Sequence, residues 1–149
     1  MADTGISALD NATHQANIWL NELCDLTHWE DKRHAYRLLR SVLHALRDWL
    51  NPDEAADFAA QLPMLIRGIY YEGWNPSATP VKQRGKDDFV DRLQTDFKTD
   101  PLGNPDLAIT AVFTLLSRHM TGGELDQVRN SMQKPLRDLW PAAWPAQHR

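Results

Sequence analysis

Four groupings in this sequence carry side chains able to do chemistry. Cys24 and His28 lie four residues apart, which on a helix sets them on one face. A thiol beside an imidazole can act as a nucleophile with its base, or as half a metal site. Asp25 and His28 have the carboxylate-x-x-histidine spacing of helical di-metal sites. Such sites need a second copy of the motif and two more inward glutamates, and only one motif occurs. His14, His34, His44, His119 and His148 show no ligand spacing among themselves. The expectation is a structural cysteine, no metal and no cofactor.

The third grouping is basic. Arg33, Arg37, Arg40, His44 and Arg47 fall on one stripe of a helix. A stripe of this kind contacts phosphate, an acidic partner or nucleic acid. Its plainer reading is a solvated face paired with acids such as Asp48. The fourth grouping is Tyr70, Tyr71, Glu72 and Trp74, three aromatics and a carboxylate at a helix exit. Aromatics with a polar handle suit a ligand pocket or an interface, and equally a lid over a small core. The candidate ligand- or partner-binding residues are therefore Arg33, Arg37, Arg40, Arg47, Tyr70, Tyr71, Glu72 and Trp74. No catalytic residue is assigned. The chain has no glycine-rich phosphate loop, serine elbow or zinc-protease helix motif.

Composition narrows the partners. Sixteen Lys and Arg against 20 Asp and Glu leave a net charge of -4, which weighs against nucleic acid. Hydrophobic content of 42%, with six tryptophans, is too rich for a disordered chain of 149 residues. Met1 to Asp10 has neither the basic start nor the apolar segment of a signal peptide, and charges interrupt every apolar stretch. A soluble cytoplasmic protein with no membrane contact is expected, and a single thiol fits a reducing compartment.

The elements that must position these groups have a helical period throughout. Apolar residues recur at spacings of three and four over about 8–28 and 31–50. Asn51-Pro52-Asp53-Glu54 reads as a capping box that starts a third helix, running to about Leu62. A fourth spans about 63–72 and stops at Gly73. Residues 75–86, with Pro76, Pro80 and Gly85, read as a linker. Beyond it, a fifth helix carries Phe89, Leu93 and Phe97. Asn104-Pro105 starts a sixth, Thr121-Gly122-Gly123-Glu124 caps a seventh, and Leu136, Leu139 and Trp140 lie on a short last one. No segment alternates as a strand does.

Shifting the sequence by 70 residues superposes the two halves without a gap. Trp19 meets Phe89, Leu23 meets Leu93, Val42 meets Val112 and Leu46 meets Leu116. Glu54 meets Glu124, Ile66 meets Leu136, Tyr70 meets Trp140 and Trp74 meets Trp144. The basic stripe has no counterpart: its partners are Gly103, Leu107, Thr110, Thr114 and Ser117. The expected fold is all-α. It is a duplicated four-helix unit of about eight helices, packed as one helical bundle domain over 1–149 with pseudo-twofold symmetry. The repeats span about 8–75 and 86–145. Each unit alone is too small for a secure core, so the two must share one.

The run Glu54 to Trp74, in which Gln61-Leu62-Pro63 leads into Arg67-Gly68-Ile69-Tyr70-Tyr71-Glu72-Gly73-Trp74, resembles a bacterial family catalogued as domain of unknown function 2267. So does Leu136-Arg137-Asp138-Leu139-Trp140-Pro141. The resemblance extends from about Ala16 to Trp144. Gln133-Lys134-Pro135 departs from it, which puts the second-half bend two residues later. The resemblance implies a small cytoplasmic helical protein with two similar halves, associated with stress-type proteins and with no activity to carry over. The expected function is non-enzymatic, through self-association or a protein partner. The alternative is a small-molecule-binding or enzymatic protein with a pocket between the repeats near Tyr71 and Glu72.

Overall fold

Asparagine, aspartate and proline punctuate this chain into helices. The first half holds α1 (Ser7–Thr27), α2 (Lys32–Trp49), α3 (Pro52–Ala59) and α4 (Met64–Tyr71). The second holds α5 (Lys86–Asp96), α6 (Pro105–His119), α7 (Gly123–Asn130) and α8 (Lys134–Arg137). The computed structural model describes residues 4–120 and 123–141, and no strand occurs among them. The capping box at Thr121, the match at Trp144 and the end of the second repeat lie outside the described residues.

Each local signal has a bond behind it. Asn51 Oδ1 accepts the Glu54 N–H at 2.9 Å, and Glu54 reaches back to the Asn51 N–H at 3.2 Å. Asn104 Oδ1 accepts from the N–H groups of Asp106 and Leu107. Pro52 and Pro105 open their helices, where a missing N–H costs nothing. Gly73 takes φ 73° just past α4, a conformation in which a Cβ is strained.

All eight helices among the described residues feed one apolar core, from Trp19 to Trp140. Several residues paired by the 70-residue offset lie in it. Both members of the pairs Trp19/Phe89, Leu23/Leu93, Val42/Val112, Leu46/Leu116, Ile66/Leu136 and Tyr70/Trp140 are buried. Helix α1 packs on α6, α2 on α5 and α3 on α7.

One local expectation is corrected. The second-half bend does not lie two residues later. Helix α7 ends at Asn130 and α8 begins at Lys134, which corresponds to Met64 at the start of α4. Pro135 sits in the first turn of α8, where proline is tolerated, and so moves nothing. The linker, for its part, is pinned. A short 3-10 turn (Pro76–Ala78) leads to Val81, whose N–H donates to Asp48 O at 2.9 Å. Arg84 Nη1 donates to Trp49 O at 3.2 Å, at the end of α2.

Candidate functional site

The basic stripe of α2 closes the ends of other helices. The last carbonyls of a helix have no partner within it and carry the negative end of its dipole. Arg37 Nη2 donates to Asp96 O at 2.8 Å, the last residue of α5. Its other nitrogen pairs with Asp100 at 3.0 Å, and the guanidinium lies 4.8 Å from the Phe97 ring centre. At α4, His44 Nε2 donates to Ile69 O at 2.7 Å. Arg47 donates to Tyr70 O at 3.0 Å and to Glu72 O at 2.8 Å. Its fork also grips Asp48 at 2.8 and 3.1 Å, and Arg92 holds the same carboxylate at 2.7 Å. Arg40 pairs with the Glu72 side chain at 2.8 Å, while Arg33 stays exposed beside Asp31.

These placements set the charge states. Burial pushes the His44 imidazole below its ordinary value, and Arg47 and Arg40 push the same way, against the opposing bond to Ile69 O. Burial alone raises Asp48, but hydrogen bonds from Arg47 and Arg92 outweigh it and hold the carboxyl low. The bond from Arg40 lowers Glu72.

The aromatic exit is part core, part surface. Tyr70 is buried, its hydroxyl donates to Ala55 O at 2.9 Å, and its ring stacks on Phe58. Burial raises its phenol well above the usual range. Tyr71 and Trp74 are half-buried with ring centres 5.2 Å apart, and Glu72 is exposed. Tyr70, His44 and Arg47 thus face inward, leaving Tyr71, Glu72, Trp74, Arg33, Arg37 and Arg40 with surface to offer.

A cavity of about 460 Å³ opens elsewhere, where the end of α1 meets the start of α6. Leu26, Trp29, Leu102, Leu107, Ala108 and Ala111 form most of its wall, with Thr27, Thr110 and Thr114 adding hydroxyls. Neither Tyr71 nor Glu72 lines it. Leu107 stands at its rim with 69% of its surface exposed. It lies between the two halves, on a seam away from Tyr71 and Glu72.

Comparison with known proteins identifies the chain only by family. The profile of the family described as "Uncharacterized conserved protein (DUF2267)" matches residues 16–139. The chain belongs to the DUF2267 family. No curated protein matches it.

In this DUF2267 chain the Cys24–His28 pairing is undone by the end of α1. His28 turns left-handed at φ 60°, and its N–H and that of Trp29 both bond to Cys24 O. The imidazole therefore leaves the helical register that the four-residue spacing assumes. Cys24 is half-buried and burial raises its thiol. No trio of His, Cys, Asp or Glu able to hold a metal occurs among the described residues. No helix among them is long and apolar enough to cross a membrane. The cavity residues escaped the reading of the sequence, although one signal pointed to them. Gly103, Leu107, Thr110 and Thr114 are where the offset copy of the basic stripe falls, and they line the cavity.

Proposed function

We propose that this chain is a non-enzymatic, cytoplasmic binding protein that takes a small molecule between its two halves. One observation carries the reading: the α1–α6 cavity is roomy and mainly apolar, and no Asp, Glu, Lys or Arg among the described residues lines it. Small-molecule sites are of this size and make-up. The polar groups best suited to chemistry are engaged elsewhere, in closing helix ends. Thermal melting with a panel of small molecules tests it. A ligand at ten times its Kd adds about 1.4 kcal/mol. That is a rise of about 3–6 °C in Tm for a chain of this size. Leu107→Arg, at the exposed rim, should abolish the rise. A panel that stabilises the variant as much as the parent would refute the site.

Self-association is a second reading, favoured by Met64 and Leu65, adjacent on α4 and 50% and 42% exposed. Light scattering across concentrations tests it, with a dimer expected and Leu65→Glu restoring the monomer. A monomer at every concentration removes it.

A further inference from the structure

We infer that the α1–α6 cavity is an unplugged copy of a filled junction and takes an uncharged, compact, mainly apolar molecule bearing a hydrogen-bonding group. This rests on the binding role proposed for that cavity. The filled copy lies where α2 starts and α5 ends. There His34 Nδ1 lies 2.8 Å from Asp100, Ser41 Oγ donates to Asp96 at 2.6 Å, and Arg37 covers Phe97. Adding or subtracting 70 residues moves this junction onto the cavity wall, except for Asp100, which becomes Glu30 in the neighbouring recess. His34 becomes Asn104, Arg37 becomes Leu107 and Ser41 becomes Ala111; Asp96 becomes Leu26 and Phe97 becomes Thr27. Two charged groups and an aromatic ring are replaced by smaller or apolar side chains. The side chains that bridge α2 and α5 on one side have no bridging counterparts on the other.

The lining then selects the ligand. Among the described residues, His28 is the one titratable side chain on the wall. A charged molecule entering would lose its hydration and meet no fixed counter-charge, which is costly. The carboxylates Glu30, Asp31 and Asp100 line a separate recess that meets the cavity at His28 and Trp29. Two of them are already matched, Asp31 by Arg33 and Asp100 by Arg37. The hydroxyls of Thr110 and Thr114 and the amide nitrogen of Asn104 offer hydrogen bonds to a polar edge.

The test is a titration of the ¹⁵N-labelled full chain, followed by amide shifts, with three molecules sharing one ring system. Indole is neutral, indole-3-acetate is an anion and tryptamine is a cation. Indole should give saturable shifts at the amides of Leu26 to Trp29 and of Gly103 to Ala111. The charged pair should bind at least about tenfold more weakly. Leu107→Arg, which rebuilds the plug, and Thr110→Phe, which fills the wall, should each weaken indole about tenfold or more while leaving distant amides in place. Either charged analogue binding as tightly as indole at these amides overturns the neutral-ligand inference and leaves the site intact. Saturable shifts at these amides with none of the three overturn both.

Discussion

Arg47 shows how much one side chain can hold. It is 4% exposed and bonds two carbonyls at the end of α4 as well as the Asp48 carboxylate. Replacing it with methionine keeps the volume but strands those acceptors, so Arg47→Met should cost about 3 kcal/mol or more. Arg33→Ala, on the exposed end of the same stripe, should stay within about 0.5 kcal/mol. Urea midpoints at constant slope decide both. The spacing of the stripe was legible in the sequence, but its partners were not. A helical period shows which residues share a face, and nothing in it shows that carbonyls some 25 residues away in the chain, at Ile69 and Glu72, will meet that face. His44 adds a pH effect. Its folded pKa lies below its ordinary value, so between the two the unfolded chain binds the extra proton. Stability then falls as the pH drops from about 7 towards 5. His44→Gln, which does not titrate, should lose less stability over that range, and equal losses in parent and variant would exclude this role. Asp48 and Glu72, both lowered, add a second loss at more acid pH, below about 4, where carboxylates protonate.

At the scale of elements, the α3–α4 corner is where capping meets packing. Arg67 donates to Ala59 O at 3.1 Å and to Leu62 O at 2.8 Å, closing α3 from the helix that follows it. Tyr70, one turn on, ties α4 back to Ala55 inside α3. Tyr70→Phe should therefore cost about 1–2 kcal/mol, because a buried carbonyl loses its donor. Arg67→Ala should cost about 1 kcal/mol, and an unchanged melting temperature would rule out its capping role. The helices themselves were legible because asparagine and proline mark their starts and apolar residues mark their inner faces. The second-half bend was misplaced because Pro135 looked like a breaker. In the first turn of α8 it interrupts no intrahelical bond, and the offset from α4 is kept. The linker was legible as a break in periodicity. Its bonds to Asp48 O and Trp49 O were not, since a backbone carbonyl leaves no mark in a sequence.

For the whole molecule, the two halves hold each other. Helix α1 packs on α6 and α2 on α5, so each half supplies part of the other's cover. One apolar cluster takes residues from every helix, with no gap at the linker. A unit of about 70 residues buries only about 60% of its unfolded surface and is marginal. Removing the second half would strip α6 from α1 and α5 from α2, uncovering apolar faces that include the buried Trp19, which stacks on His119 of α6. The full chain should therefore unfold in one urea transition, with tryptophan fluorescence and helical circular dichroism coinciding. Residues 1–82 alone should show low helicity and no cooperative transition. Mixing them with residues 83–149 should restore part of both signals, in proportion to concentration, as two chains completing one core. A first half that melts cooperatively by itself would show that the repeat is an array of independent units. In that case the cavity at the α1–α6 seam would be a cleft between domains, and its shape would depend on how they dock.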